Sequence, residues 1–353
     1  MPKNRNPDFD MLAHDQELYR NTTGEYSFKA RSWGSAVKWQ KSFRKALREA
    51  LGLTRMEKDL AGYRPRAQRL ETKDCGFFIR EKWRLWTEPG VPIPFWLLRP
   101  LGPATRRPLV LTPHGHEPTE HYIGQAKTRK ELKVIRDEQR DVAIQSVMEG
   151  YTTILPTVRS FGETRGLDDT KWKNLSSCRA SLMHGLLVGR TPIGERVWDI
   201  ERLIDWAVKR NDVDAGKIAI TGNSGGGTVS LFAAACDTRI SASVPASYFC
   251  TFYGSIGSIW HCDCNYIPGL LRLGEMSDVA GLIAPRPFCA IQGKKDDIYP
   301  FPESFKSYMR LRGIYRVFGA EDKVRLFVGD GGHRYYSAGC WPFLKTVFGA
   351  GNS

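Results

Sequence analysis

The chain has 353 residues, 41% hydrophobic and 11% aromatic, enough apolar material for a sizeable core and too much for a disordered chain. Its 52 basic and 38 acidic residues give a net charge of +14. No nucleic-acid-binding motif accompanies that charge, so it reads as a solvated basic surface and no nucleic-acid partner is expected. The start, MPKNRNPDFDMLAHDQELYR, is polar and mixed in charge and does not read as a secretory signal. No apolar run is long enough to cross a bilayer, so no membrane partner is expected and a cytoplasmic location is. The eight cysteines are scattered and form no small-domain disulfide framework.

Residues 1–30 read as an irregular polar arm. Residues 34–52, GSAVKWQKSFRKALREALG, predict an amphipathic helix with Trp39, Phe43, Ala46, Leu47, Ala50 and Leu51 near one face and Gly52 as its stop. From about 76 the pattern turns to strands: GFFIREKWRLWTE and PIPFWLLRP, joined by a hairpin at Pro89-Gly90, then PLVLTPHGHE. The charged stretch AKTRKELKVIRDEQRDVAIQSVMEGY looks helical in its second half, and YTTILPTV is a further strand. IGERVWDIERLIDWAVKRN is an amphipathic helix with Val197, Ile200, Leu203, Ile204 and Ala207 on its buried side. KIAITG, SASVPAS, PRPFCAIQG and VRLFVGD are strands, and a last helix is expected near 336–348, before a loose GAGNS tail. Strands alternating with helices from about 107 imply a mostly parallel twisted sheet with helices on both faces. The expected organisation is an N-terminal arm and helix over 1–75, packed on a catalytic domain over 76–353.

The stretch KIAITGNSGGGTVSL carries the chemistry. It lacks the lysine of a phosphate-binding P-loop, and its glycine spacing is not that of a dinucleotide site. Gly222-Asn223-Ser224-Gly225-Gly226 fits Gly-x-Ser-x-Gly, the sharp strand-to-helix turn that exposes a serine hydroxyl at a helix N-terminus.

That hydroxyl needs a histidine base, and the base needs a carboxylate. With this elbow the chain order is serine, acid, histidine. Only His261 and His333 follow Ser224. His333, in a loop between the last strand and the last helix, is favoured over His261, which no strand precedes. Asp296 and Asp297 both follow the strand PRPFCAIQG, and Asp296 has the better spacing, three after Gly293 and four before Pro300. The oxyanion donors are expected to be the Gly225 N–H and an N–H of the Pro113–Glu117 loop, with His116 favoured. His114, His116 and His121, with Glu117 and Glu120, also suggest a metal cluster, but the spacing matches no common hydrolase motif. Cys262-Asp263-Cys264 beside His261 lacks further visible ligands and reads as buried thiols. No cofactor or metal is expected.

On these residues the chain resembles the α/β-hydrolase superfamily, and more narrowly its bacterial acetyl xylan esterase-like and dienelactone hydrolase-like group. The resemblance covers roughly 35–350. It is strongest in GRTPIGERVWDIERLIDWAVKRNDVDAGKIAITGNSGGG, CNYIPGLLRLGEMSDVAGLIAPRP and GKKDDIYP with GGH. It implies Ser224, Asp296 and His333 as nucleophile, acid and base, and puts Arg159 near the site, where a structural ion pair is an equal expectation. Two departures stand out. Dienelactone hydrolases proper use cysteine where this chain has Ser224, and the oxyanion loop reads HGHEPTEH rather than a glycine-rich HGGG run.

The expected function is a metal-independent serine esterase acting on small acyl esters, acetyl-type and on carbohydrate by family implication. A peptidase of the same fold, a metallohydrolase and a catalytically silent binding protein are the alternatives. Tyr253 and Trp260, in TFYGSIGSIWHCDCNYIPGLLRL, are candidate pocket residues. Oligomeric state is left open.

Overall fold

The computed structural model describes residues 11–102, 105–174 and 176–349. Nine strands form one sheet: β1 (Arg66–Asp74), β2 (Phe78–Glu88), β3 (Val91–Pro100), β4 (Arg107–Leu111), β5 (Thr152–Pro156), β6 (Val213–Asn223), β7 (Ala242–Ala246), β8 (Phe288–Gly293) and β9 (Val324–Gly329). Their order is β1-β2-β3-β5-β4-β6-β7-β8-β9. The first three strands and the β3–β5 pair are antiparallel, and every pair from β5 to β9 is parallel. This is the mostly parallel sheet that the alternation of elements predicted, with antiparallel strands at one edge.

The central strands are buried on both faces, so they read as continuous apolar runs. The last six residues of β6 are all buried, as is the whole of β7 and β8. The helix Pro192–Ala207 starts cleanly because Thr191 accepts from the Gly194 N–H and Pro192 needs no hydrogen-bond acceptor there. Val197, Ile200, Leu203, Ile204 and Ala207 are all buried on it.

Four expectations need correcting. First, β1 lies on the N-terminal side of the boundary expected at 75, so the sheet starts earlier than the strand pattern suggested. It is an exposed edge strand, RAQRLETKD, with no apolar alternation to reveal it. Second, Met11–Asn21 is helical rather than irregular; it buries no residue, which is why no periodicity announced it. Third, the charged stretch is helical in both halves, Arg129–Asp137 and Val142–Met148, the first capped by the Thr128 hydroxyl on the Glu131 N–H. Fourth, the helix expected over 34–52 runs over Trp33–Ala50 and buries Ala36, Gln40, Phe43 and Leu47. The expected GAGNS tail lies, apart from Gly349, outside the described residues. Among the described residues no helix is long and apolar enough to cross a membrane.

Candidate active site

β6 ends at Asn223 and the next helix, Gly225–Cys236, starts at once, leaving Ser224 alone at the corner. Ser224 has φ 55° and ψ −116°. A β-carbon resists that conformation, and such strain in a non-glycine residue persists only where its surroundings enforce it. Here the Ser224 N–H donates to Ala246 O at 2.9 Å and Ser224 O accepts from the Thr228 N–H at 2.9 Å. The neighbouring Asn223 N–H donates to the buried Tyr122 hydroxyl at 3.1 Å. The glycines of the motif are steric necessities. A Cβ on Gly222 or Gly226 would stand 2.2 or 2.0 Å from Pro113 O, which packs directly over the turn.

β8 and β9 deliver the other two groups. His333 Nδ1 lies 2.9 Å from Asp296 Oδ2. Since an ionised Asp296 can only accept, Nδ1 carries the proton and Nε2 is left as the acceptor. Asp296 is held in turn: its Oδ1 accepts from the Ile298 and Tyr299 N–H groups, each at 3.0 Å, and its side chain is wholly buried. Asp297 faces solvent. The loops carrying Asp296 and His333 are tied together by Lys294 N–H on Gly329 O and Lys295 N–H on Gly331 O, both 2.8 Å. The Tyr299 ring stacks on His333 with centroids 5.9 Å apart. Among the described residues the Ser224 hydroxyl has no protein hydrogen bond, so it is not yet joined to His333. Catalytic hydrogen bonds commonly tighten only once substrate is bound.

The loop after β4 packs on the elbow. A Cβ built on Gly115 would lie 3.1 Å from Gly225 N, and one built on Gly225 would lie 3.9 Å from His116 Nδ1. Gly225 opens its helix, so its N–H is one of the donors that a helix leaves unmatched. The His116 N–H also donates to no protein acceptor among the described residues. His114 fixes this loop. Its Nδ1 donates to Gly115 O at 2.8 Å, and its Nε2 accepts from the Val158 N–H at 3.0 Å. Burial pushes its pKa down to about 4, which keeps the ring neutral.

The rival metal grouping of His114, His116 and His121 does not form among the described residues. His114 is committed to the backbone, and His121 turns toward Glu131, 4.0 Å away. The structure gives His116 other company. A ligand atom of His116 and the Sγ atoms of Cys178, Cys262 and Cys264 all lie within 4.8 Å of one another. The reading of Cys262 and Cys264 as thiols without further ligands is therefore corrected. The missing donors come from distant parts of the chain, and no local spacing could have revealed them.

Burial, with His116 and His333 nearby, pushes the His261 pKa down to about 4. Its Nδ1 accepts from the Cys262 N–H and the Asn265 amide, both at 3.0 Å, so Nε2 carries the proton; that N–H is buried without a partner. Among the described residues no carboxylate orients it as Asp296 orients His333.

Arg159 faces a buried ion-pair network. Its guanidinium donates to both oxygens of Asp199, each at 2.7 Å, and pairs with Glu88 at 2.7 Å. The ion-pair expectation fits this geometry; a pocket role does not. Tyr253 accepts from Arg20 Nε at 2.7 Å, against the helix Met11–Asn21. Beside it is a cavity of about 190 Å³ lined by Leu18, Tyr19, Phe252, Ile256, Asn265 and Leu270. Trp260 is 99% exposed and projects into solvent rather than forming a packed wall.

Comparison with known proteins agrees with this architecture. Residues 90–260 match the family model of X-Pro dipeptidyl-peptidases (S15 family), and residues 193–339 match that of the prolyl oligopeptidase family. The chain is 27% identical over 188 residues to YtaP of Bacillus subtilis (strain 168), whose name carries a hydrolase assignment; the match spans 52% of this chain and 60% of that protein. A Bacteroides fragilis NCTC 9343 structure assigned as an acetyl xylan esterase superposes with TM-score 0.77 at 19% identity, over 91% of this chain and 83% of that one. Methylesterase BT1017 superposes with TM-score 0.69 at 18% identity, over 96% and 67%. The chain has the α/β-hydrolase fold.

Proposed function

We propose that the protein is a serine ester hydrolase, with Ser224 as nucleophile, His333 as base and Asp296 as the acid that orients it. The observation carrying this reading is the 2.9 Å His333–Asp296 contact at the ends of adjacent strands, in a chain whose strained elbow presents Ser224. Ser224 Oγ attacks the ester carbonyl carbon while His333 Nε2 takes its proton. The carbonyl oxygen becomes an oxyanion received by the Gly225 and His116 N–H groups. Collapse expels the alcohol, which takes the proton from His333 and leaves an acyl-Ser224 ester. Water, deprotonated by the same imidazole, attacks that ester and frees the acid and Ser224. Asp296 keeps the imidazole in the tautomer this cycle needs and stabilises the imidazolium.

Small acyl esters of carbohydrates are the proposed substrate class. The structural neighbour assigned as an acetyl xylan esterase supports it, whereas the methylesterase neighbour points to an ester whose alcohol is small. A peptidase is the second reading, favoured by the two peptidase family models. The deciding assay compares p-nitrophenyl acetate and acetylated xylo-oligosaccharides with dipeptidyl p-nitroanilides. Turnover of the esters and not the anilides is expected, with a fall of at least about 10⁴-fold in Ser224→Ala. Wild-type rates in Ser224→Ala would overturn the assignment of the nucleophile.

A further inference from the structure

Four metal-ligating side chains converge beside the oxyanion loop from three separate segments. His116 comes from the loop after β4, Cys178 opens the helix Cys178–Leu187, and Cys262 caps and Cys264 lies within the short 3-10 turn Asp263–Asn265. Their ligand atoms lie within 4.8 Å of one another. Tetrahedral zinc, with bonds of about 2.0–2.3 Å, sets its ligand atoms roughly 3.5–3.8 Å apart, inside that limit. Cys262 Sγ and Cys264 Sγ are already only 3.2 Å apart. Hydrophobic packing of thiols gives no reason for an imidazole to join them.

The surroundings suit a metal–thiolate group. Three thiolates and Zn²⁺ leave one net negative charge. Arg196 is only 2% exposed, and its Nη2 lies 3.4 Å from Cys178 Sγ. Its Nη1 is buried with no partner among the described residues. The same guanidinium lies over the Phe161 ring, which also makes a T-shaped contact with His116, centroids 4.9 Å apart. A positive charge is thus buried where that negative one would sit, the placement expected of a residue that tunes and orients a metal site from outside its ligands.

We propose that His116, Cys178, Cys262 and Cys264 bind one zinc ion in a closed, structural site. Soft thiolate donors with one imidazole select zinc over magnesium or calcium. Each of the three thiols gives its proton to solvent as its sulfur bonds the metal. Four protein ligands leave no position for water or substrate, so the ion does not act on the ester. Its work is mechanical: the side chain of His116 is anchored while its backbone N–H stays free for the oxyanion. Zinc then holds the oxyanion loop against the segment 261–265 and the start of the helix Cys178–Leu187.

The test starts with the full chain, produced with zinc in the medium and purified under reducing conditions without chelator. Elemental analysis is expected to find about one zinc per chain. Cys178→Ser and Cys264→Ser are expected to retain less than about a tenth of that. His116→Cys is expected to keep it, since four thiolates also hold zinc, and Cys75→Ser, remote from the cluster, to match wild type. Cobalt(II) exchanged into wild type is expected to show tetrahedral thiolate absorption. If the serine variants do not fold, a thiol count on wild type decides: zinc removal is expected to make three thiols newly reactive. A reduced wild type that takes up no zinc overturns the proposal, as does metal content unchanged in folded Cys264→Ser. So does an as-isolated disulfide among the three cysteines. The effect on turnover rests on the esterase reading: zinc removal is expected to lower kcat at least about tenfold with little change in KM. Metal content does not depend on that reading, so the two failures are distinguishable.

Discussion

Asp296 and Asp297 are neighbours in sequence and opposites in setting. Asp296 is enclosed, bonded by two backbone N–H groups and by His333, while Asp297 stands in solvent. Only the first can fix an imidazole. Asp296→Asn is expected to keep the fold, because an amide oxygen still accepts from Ile298 and Tyr299. It also keeps a group beside His333 but favours the wrong tautomer, and the comparable change in a known Ser-His-Asp protease drops kcat about 10⁴-fold. Asp297→Asn is expected to stay within about twofold of wild type, since it removes only a solvated charge. Steady-state kinetics on p-nitrophenyl acetate with both variants tests the pair, and equal losses would remove Asp296 from its role.

The helix Pro192–Ala207 shows how one element serves the site from behind. Arg196 donates to Arg159 O at 3.0 Å, and one turn later Asp199 takes the Arg159 guanidinium. Thr87 and Glu88, at the end of β2, close the same network. It therefore joins the antiparallel edge of the sheet to the helix on which Arg196 sits. Burial raises the Asp199 carboxyl, and Arg159 works against that rise. Arg159→Met leaves Asp199 buried without its cation, while Glu88 keeps Arg190, at a cost of about 3–5 kcal/mol. The sign of the pH dependence follows. Without Arg159 the folded-state pKa of Asp199 lies further above its unfolded value. The stability deficit then grows as pH rises through it and shrinks as pH falls toward the ordinary carboxylate range. Urea unfolding at several pH values checks this. A deficit independent of pH, with a large rise in KM, would instead return Arg159 to substrate binding.

At the scale of the whole molecule, what was legible in the sequence follows from burial. β4 to β8 are buried runs and announce themselves; β1 is a polar edge and does not. The elbow is five consecutive residues, and Gly222 and Gly226 within it are forced by the single carbonyl of Pro113. The cysteine cluster is the reverse case. It exists only after β6 and its flanking helices have brought Cys178, Cys262 and the loop after β4 together, so no local pattern encodes it. Trp260, 99% exposed, is a related case: an aromatic in an irregular loop gives no periodicity to say which way it faces.

The N-terminal segment is bound to this architecture by both packing and charge. Gln40 donates to Gly281 O and Ala284 O, and Arg44 donates to Ala235 O and Leu282 O. Arg48 pairs with Glu201 on the helix Pro192–Ala207. Several of these carbonyls end helices, including the elbow helix, where cationic donors complete unmatched acceptors and oppose the helix dipole. Phe43 and Leu47 are fully buried in the same core cluster as Ile200, Leu231 and Phe232. The helix Trp33–Ala50 thus supports the elbow helix from its C-terminal end, while Ser224 sits at its N-terminal end. Phe43→Ala is expected to cost about 3–5 kcal/mol, the range for emptying an aromatic site in a packed core. Removal of residues 1–52 is expected to abolish folding rather than leave an active core, because it strips those carbonyls of donors and exposes the cluster. Calorimetry of Phe43→Ala and limited proteolysis of the truncated chain measure this. A stable, fully active chain starting at Leu53 would mean that the segment is an appendage and that the elbow helix is held by the sheet alone.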